Sequence, residues 1–309
     1  MLLSFLMALT ASWIAWAPSA REIQQPAQNI PTTIRTEVAL VNVIFTATDR
    51  KGKSLSGFKA EDFLVFEDRK PQRIEYFSDW TRESDIPLTV ALLLDTSGSV
   101  KTRLNYEKRT AAEFFENALR RNKDLALIIQ FDSDVNLVQD FTDDPKVLTA
   151  ALDTIRAGNT TALYDAIFLA VQDKLKEETG RKVIVAITDG SDTSSKVSES
   201  EAIEIAQRND VLIYGIGVRG EAQVNFGILK RFAEETGGSF FSPNSNLEEI
   251  RAAFRAIGEN LRRQYSLAYR STNEKRDGGF RSIELRCRIP GVRIQTRKGY
   301  YAANAKQDP

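Results

Sequence analysis

Four nearly continuous apolar runs constrain the fold of this 309-residue chain more than any other feature. They are Leu88–Leu94, in which only Thr89 is polar, Leu125–Phe131, Val183–Ile187 and Val211–Val218. Runs of this kind suit strands that are buried on both faces, as strands are inside a parallel sheet. The runs therefore predict a mostly parallel sheet with other elements packed on both sides.

Helical patterns separate these runs. Apolar faces and loop positions predict helices over about 102–121, 162–178 and 246–264. Capping boxes at Ser198–Glu201 and Ser245–Glu248 mark two helix starts. The run Val135–Phe141 follows Leu125–Phe131 closely and predicts an antiparallel hairpin partner. Strand–helix alternation across the region predicts a doubly wound α/β domain.

Alternating patterns replace the continuous runs on both sides of this region. The β-type segments are Val38–Phe45, Phe63–Asp68, Arg73–Phe77, Tyr265–Tyr269, Ser282–Arg288 and Val292–Thr296. Either flank alone would make a weak sheet. We therefore expect residues 36–80 and 265–301 to pack together as one small β domain, with the α/β domain inserted between them.

The first twenty residues predict export. Met1–Ala20 has no charged side chain, is mostly apolar and ends in the small-residue sequence Pro18-Ser19-Ala20. The segment is either a cleaved signal peptide or a single-span anchor, and we expect membrane contact only if it is uncleaved. A periplasmic, cell-envelope or secreted location follows.

The predicted domain order covers the whole chain. It is 1–20 signal peptide or anchor, 21–35 linker, 36–80 N-terminal β segment, 86–262 α/β domain, 263–303 C-terminal β segment and 304–309 tail.

Composition limits the chemistry. The chain has no His and one Cys, which excludes catalytic triads with His, zincin motifs and multi-thiolate metal sites. Carboxylates, hydroxyls and carbonyls remain, and these ligands suit hard cations. With 42 basic and 42 acidic residues, the chain has no general basic field for binding nucleic acid.

Polar side chains follow two of the predicted buried strands. One strand ends in Asp95, followed by Ser97 and Ser99, and another leads to Asp189. A third loop, Gly158–Thr161, offers further hydroxyls. Ligands of open parallel sheets bind at the carboxyl ends of strands. Two carboxylates and three hydroxyls with water would make an octahedral set for Mg²⁺ or Mn²⁺.

These elements resemble the von Willebrand factor type A (VWA) domain and its metal-ion-dependent adhesion site. The resemblance lies in Asp95–Ser99, Thr161–Ile167 and Thr188–Gly190, in that order. It implies a Rossmann-like fold. It also implies that Ser97, Ser99 and Thr161 bind the metal through hydroxyls and that Asp95 and Asp189 act directly or through water. Asn159-Thr160 stands where many relatives have paired glycines, and the spacing to Ala166-Ile167 favours Thr161 over Thr160.

The flanks extend this resemblance. Ala60–Asp68 and Arg297–Tyr301 are similar to segments of the VWA-type proteins abundant in Acidobacteria. The resemblance implies an exported, non-enzymatic adhesion or interaction module. Mg²⁺, or Mn²⁺ or Ca²⁺, would bridge to an Asp or Glu of a protein partner.

Two alternatives stay open. One is a structural envelope protein with a non-functional metal site. The other is a metal-dependent phosphoryl-transfer enzyme of the haloacid-dehalogenase type, which the residues disfavour because Ser97 stands where a second Asp is needed. The acidic residues near Asp132–Asp134 and Asp143-Asp144 favour a solvated turn and a helix cap over a calcium loop.

Overall fold

A computed structural model describes residues 40–50, 52–80, 86–98, 101–158, 160–218, 226–243 and 246–304. The predicted signal peptide or anchor and the linker lie outside the described residues, as do Ser99 and Ser245.

The α/β part of the chain contains six α-helices and six strands among the described residues. The strands are β5 (Leu88–Asp95), β6 (Leu125–Phe131), β7 (Val135–Thr142), β8 (Arg181–Thr188), β9 (Val211–Gly217) and β10 (Phe240–Phe241). The helices are α1 (Leu104–Ala118), α2 (Pro145–Thr154), α3 (Leu163–Leu169), α4 (Glu199–Arg208), α5 (Phe226–Thr236) and α6 (Leu247–Arg262).

The flanking parts are strands, apart from a short 3-10 turn. On the N-terminal side are β1 (Leu40–Thr48), β2 (Phe63–Glu67), β3 (Lys70–Gln72) and β4 (Ile74–Asp79). On the C-terminal side are β11 (Tyr265–Arg270), β12 (Phe280–Cys287), β13 (Arg293–Thr296) and β14 (Gly299–Tyr301).

The central sheet has six strands in the order β10-β9-β8-β5-β6-β7. β7 pairs with β6 in antiparallel register, as predicted, and the other neighbours run parallel. All eight residues of β5 are buried. Its side chains alternate between two apolar clusters, with Leu92 on the face covered by α1, α2 and α6, and Leu93 on the face covered by α3, α4 and α5. The predicted doubly wound fold is confirmed.

Most helix starts follow the sequence signals. Ser198 and Glu201 form the predicted capping box at the start of α4. The cap of α6 is Asn246, whose side chain accepts the Glu249 N–H at 2.9 Å, one residue after the predicted cap. The predicted helix over 162–178 is α3 followed by a π-helical stretch, Ala170–Leu175. None of the helices in the described part of the chain combines the length and apolarity of a membrane-spanning helix.

Two antiparallel sheets form the flanking β unit, and each contains strands from both flanks. Their orders are β13-β1-β11-β4 and β14-β12-β2-β3. Phe45 of β1 packs against Phe63 of β2 and Tyr265 of β11, with ring centroids 4.9 and 5.3 Å apart. The predicted joining of the two β segments into one unit is confirmed.

The chain leaves the β unit and returns to it at one place. The Trp80 N–H donates to the Gln264 carbonyl at 3.0 Å, which joins the outgoing and returning segments. The Arg181 guanidinium lies 5.8 Å from the Trp80 ring and bonds to Gln264 Oε1 at 3.3 Å. These contacts hold the start of β8 against Trp80 and Gln264, where the chain leaves the β unit and returns to it.

Gly238 is expected to be sensitive to a single added methyl group. A Cβ at this position would lie 2.0 Å from the Ile213 carbonyl oxygen, which belongs to the β9 backbone and cannot move aside cheaply. We expect Gly238→Ala to lower the free energy of unfolding by about 2 kcal/mol or more, within the range of overpacked cores. Urea unfolding of the purified chain measures this change.

Gly258→Ala is the matched control. Gly258 lies within α6, and a Cβ there would have no heavy atom within 4 Å. Since Ala favours a helix over Gly by about 0.5–1 kcal/mol, this variant is expected to be slightly more stable than the parent. Equal effects of the two substitutions would contradict the close approach at Gly238.

Candidate metal centre

Asp95 and Asp189 lie at the carboxyl ends of neighbouring parallel strands. Asp95 is the last residue of β5, and Asp189 directly follows β8. Leu94 pairs with Ile187 across the two strands, so both carboxylates belong to the same edge of the sheet. Both residues are buried. The structure thus brings together the two acidic residues that the sequence singles out.

Hydrogen bonds hold the Asp95 carboxylate in place. The Ser97 N–H donates to Oδ1 at 2.8 Å, and the Thr188 hydroxyl donates to Oδ2 at 2.5 Å. The Gly190 N–H donates to the same Thr188 hydroxyl oxygen at 3.1 Å. Thr188 therefore connects the ends of β5 and β8.

The third loop is fastened to both strand ends. The Gly158 N–H donates to the Thr96 carbonyl at 2.5 Å. The Thr161 N–H donates to Thr193 Oγ1 at 3.1 Å, and the Thr193 N–H donates back to the Thr161 carbonyl at 2.9 Å. Thr161 is buried, whereas Thr160 is exposed.

Two further side chains position this loop region. Asp192 Oδ1 accepts the Tyr164 N–H at 3.3 Å. Asp165 Oδ1 accepts the N–H groups of Lys196 and Val197, both at 2.9 Å. The segment after β8 is therefore held against the start of α3, beside Thr161.

Four of the five predicted metal ligands lie at this edge of the sheet, and Ser99 lies outside the described residues. The four are Asp95, Ser97, Thr161 and Asp189. Within the described part of the chain, no three His, Cys, Asp or Glu side chains converge as a metal site by themselves. Any cation held here must therefore take hydroxyl and water oxygens as well as carboxylates.

The electrostatics of this edge favour a positive charge. Burial raises the pKa of Asp95 to about 6, although hydrogen bonds from Thr188 and Ser97 oppose the rise, and the nearby Asp189 charge adds to it. Among the described residues, no Lys or Arg is one of the groups that act on the pKa of Asp95. A buried carboxylate without a cationic partner is costly, and a bound cation would relieve that cost.

Glu107 on α1 is a buried acid that lies outside the sequence motifs. The residue is fully buried, and neither carboxylate oxygen has a hydrogen-bond partner among the described residues. Burial raises the pKa of Glu107 to about 8, and repulsion from Asp95 is the second-largest cause of the rise. A signal was present, since Glu107 lies three residues after Leu104 and four before Ala111, on the apolar face of the helix.

The acidic turn between β6 and β7 is a self-contained turn. Asp132 Oδ1 accepts the Asp134 N–H at 3.0 Å, and Asp134 is exposed. Asp144 caps α2 by accepting the Lys146 N–H at 2.9 Å. The expected solvated turn and helix cap match these contacts.

The residues at the edge fit a hard divalent cation. The donor set consists of carboxylate and hydroxyl oxygens, which are the ligands that Mg²⁺, Mn²⁺ and Ca²⁺ prefer. The unpartnered carboxyl group of Glu107 interacts electrostatically with Asp95 and Asp189, and it would add a buried negative charge when it ionises. The fold and these oxygens define a doubly wound α/β domain with a candidate cation site at the carboxyl edge of its sheet.

A family model identifies this domain. The model of the von Willebrand factor type A domain matches residues 89–256, just over half of the chain. The chain belongs to the VWA domain family.

Individual relatives are distant. An uncharacterised protein of Borreliella burgdorferi is 27% identical over 211 residues, which cover 58% of this chain and 61% of that protein. Proximal thread matrix protein 1 from the mussel byssus, with a zinc-occupied MIDAS motif, is 15% identical with a TM-score of 0.53. That match covers 63% of this chain and 50% of the mussel chain. BatB of Bacteroides thetaiotaomicron is 19% identical with a TM-score of 0.48, over 56% of this chain and 98% of BatB.

Proposed function

We propose that this chain is an exported, non-enzymatic protein-binding module that holds a divalent cation at the carboxyl edge of its VWA sheet. The ligands would be Asp95, Ser97, Thr161 and Asp189, with Ser99 completing the set that the sequence motif predicts. The observation that carries the proposal is the burial of Asp95 and Asp189 on adjoining strand ends beside the hydroxyl-bearing loop of Thr161.

The charge of these residues supports a binding role. Two carboxylates neutralise a divalent cation only formally, and neutral hydroxyls leave its field incompletely quenched. When bound, the cation would offer an open coordination position to an acidic side chain. A partner protein that presents an Asp or Glu would complete the coordination, and Mg²⁺ suits such a site because it keeps exchangeable water positions.

The chain's own residues prepare this site. Thr188 and the Ser97 N–H hold the Asp95 carboxylate at the end of β5. Thr193 holds the loop of Thr161 against the segment after β8. These contacts join three loops into one preorganised edge, so that ordering the loops would not oppose ligand binding.

A solved structure supports the fold on which the proposal rests. The mussel protein that shares this fold is described with a zinc-occupied MIDAS motif. At 15% identity this match speaks for the fold alone. The choice of metal therefore rests on the oxygen ligands of this chain, which favour Mg²⁺ or Mn²⁺.

Export and domain limits are part of the same proposal. The uncharged apolar segment Met1–Ala20 supports export to the periplasm, the cell envelope or the medium. We place the VWA domain at 86–262 and the β unit at 36–80 with 263–303. The VWA domain, with the candidate metal site at the edge of its sheet, would then be an insertion in the β unit.

A chelator-controlled capture experiment tests the binding role. The purified chain is immobilised and exposed to native envelope extract, either with Mg²⁺ or with EDTA. A Mg²⁺ concentration of roughly 5 mM is used, because it saturates weak sites of the extracellular type. Because a bridging cation is required, we expect the captured proteins to be lost in EDTA. They should also be lost with Asp189→Asn, which removes one carboxylate charge.

The captured protein is then tested directly. Replacing its contacting Asp or Glu by Asn or Gln should abolish Mg²⁺-dependent binding, while its other acidic residues should be dispensable. A captured set that is the same in Mg²⁺, in EDTA and with Asp189→Asn would overturn the bridging role and favour a structural envelope protein.

A further inference from the structure

Glu107 is a buried acidic side chain that the proposed ligand set does not use. It lies one turn into α1 and is 0% exposed. Both carboxylate oxygens lack a hydrogen-bond partner among the described residues. Buried carboxylates are normally paired or hydrogen-bonded, because leaving one unsatisfied is costly. The residue therefore requires an explanation beyond core packing.

Two of the three charged groups that act on Glu107 belong to the candidate metal centre. Asp95 and Asp189 both act on its carboxylate by repulsion, and Arg103 acts by attraction. Arg103 is the residue just before α1 and does not form an ion pair with Glu107 within the described residues, and its own Nη1 is buried without a partner. Three buried acidic groups thus interact with one another, and Arg103 is the one cation among the described residues whose charge acts on Glu107.

Packing alone does not account for this acid. Glu107 occupies the apolar face of α1 between Leu104 and Ala111, where a Leu or Met would fill similar space without the burial cost. A negative charge in this position is stabilising only when a positive charge lies nearby. A cation bound at the candidate site would provide that charge.

We propose that Glu107 is a third acidic group of the metal centre, whose negative charge stabilises the bound divalent cation without a direct bond to it. This inference rests on the proposed metal binding at Asp95 and Asp189. An indirect role fits the absence of three converging acidic side chains in the described residues. Outer groups of this kind alter metal affinity by about 10- to 100-fold in other metal sites.

The role of Arg103 follows from the same charges. In the metal-free protein its guanidinium is the cation whose attraction acts on Glu107. Arg103 and the metal therefore compete for the negative charge of the Glu107 carboxylate. Removing the guanidinium should tighten metal binding, which is the opposite of the effect of removing Glu107.

Calorimetric titration with Mg²⁺ and Mn²⁺ tests the inference on the full chain. We expect Glu107→Gln to weaken binding by about 10- to 100-fold. Its melting temperature in EDTA should equal or exceed that of the parent, because the substitution replaces an unpartnered buried carboxyl group, whose ionisation is costly, by a neutral amide. Glu116→Gln is the control, since it removes the same charge from an exposed position on α1 and should leave affinity unchanged.

The outcomes separate the inference from the proposed function. If the parent chain binds neither metal, the proposed metal centre is wrong. If the parent binds and Glu107→Gln binds equally well, only the role of Glu107 is overturned, and a lower melting temperature in EDTA would then mark a packing residue. If Glu107→Gln does not fold, Arg103→Gln decides: tighter binding supports the inference and unchanged binding overturns it.

Discussion

Replacing Asp95 by Asn is expected to weaken divalent-cation binding by at least about 100-fold. Loss of groups that only surround a metal's ligands already costs about 10- to 100-fold, and Asp95 is proposed as one of the two acidic ligands. Isothermal titration with Mg²⁺ and Mn²⁺ measures the change.

The same substitution should leave the metal-free fold intact. An Asn carbonyl can accept the Ser97 N–H as the carboxylate does at 2.8 Å, and the Thr188 hydroxyl can accept from the new amide. Burial raises the pKa of Asp95 to about 6, so the fold disfavours the charge that the substitution removes. We expect a melting temperature in EDTA no lower than that of the parent.

Asp134→Asn is the control for net charge at this edge. Asp134 lies in the exposed turn between β6 and β7, near the carboxyl end of the sheet, and the substitution changes total charge equally. It should not alter metal affinity by more than about twofold, because exposed charges are screened by salt. Equal affinities of the parent, Asp95→Asn and Asp134→Asn would contradict a metal centre at Asp95.

The central sheet could be predicted because a strand that is buried on both faces shows in the sequence as a nearly continuous apolar run. Because β5 is buried on both faces, all its positions except Thr89 and Asp95 are apolar, so Leu88–Leu94 and the terminal Asp95 are readable from sequence. The joining of the two β flanks was also predictable, since neither could bury its apolar face alone. The ends of the elements were predicted less accurately. The cap of α6 is Asn246, one residue after the predicted cap, and the helix after Thr161 continues as a π-helical stretch.

The site could be predicted only in part. Asp95 and Asp189 follow from strand ends, but the contacts that position the third loop do not. Thr193 and Thr161 are 32 residues apart, and their mutual hydrogen bonds depend on how two loops fold over the sheet. Glu107 was readable as an acid on an apolar helix face, yet its electrostatic interaction with Asp95 depends on how α1 packs on the sheet.

The metal-free chain is expected to lose stability as the pH rises from about 5 to about 8. The pKa of Glu107 is raised from 4.5 to about 8 by burial and by repulsion from Asp95. Between those values the folded state holds a proton that the unfolded state has released, so the free energy of unfolding falls with increasing pH. Asp95 adds a smaller fall between pH 3.8 and about 6. The fall should level off above about pH 8, when Glu107 is ionised in both states.

Melting temperatures in EDTA from pH 5 to pH 8 measure this dependence. The expected total is on the order of a few kcal/mol, because each pKa unit corresponds to about 1.4 kcal/mol. No His titrates in this window, since the chain contains none. Glu107→Gln should flatten most of the slope, whereas Glu116→Gln should preserve it.

Saturating Mg²⁺ gives the decisive contrast. A bound cation stabilises the ionised carboxylates, so the decline between pH 5 and pH 8 should vanish or reverse when metal is present. If the metal-free chain instead becomes more stable with rising pH, Glu107 must be ionised and satisfied in the fold. Glu107 would then have a partner in the fold, its charge would be compensated without metal, and the cation would depend on the charges of Asp95 and Asp189 alone.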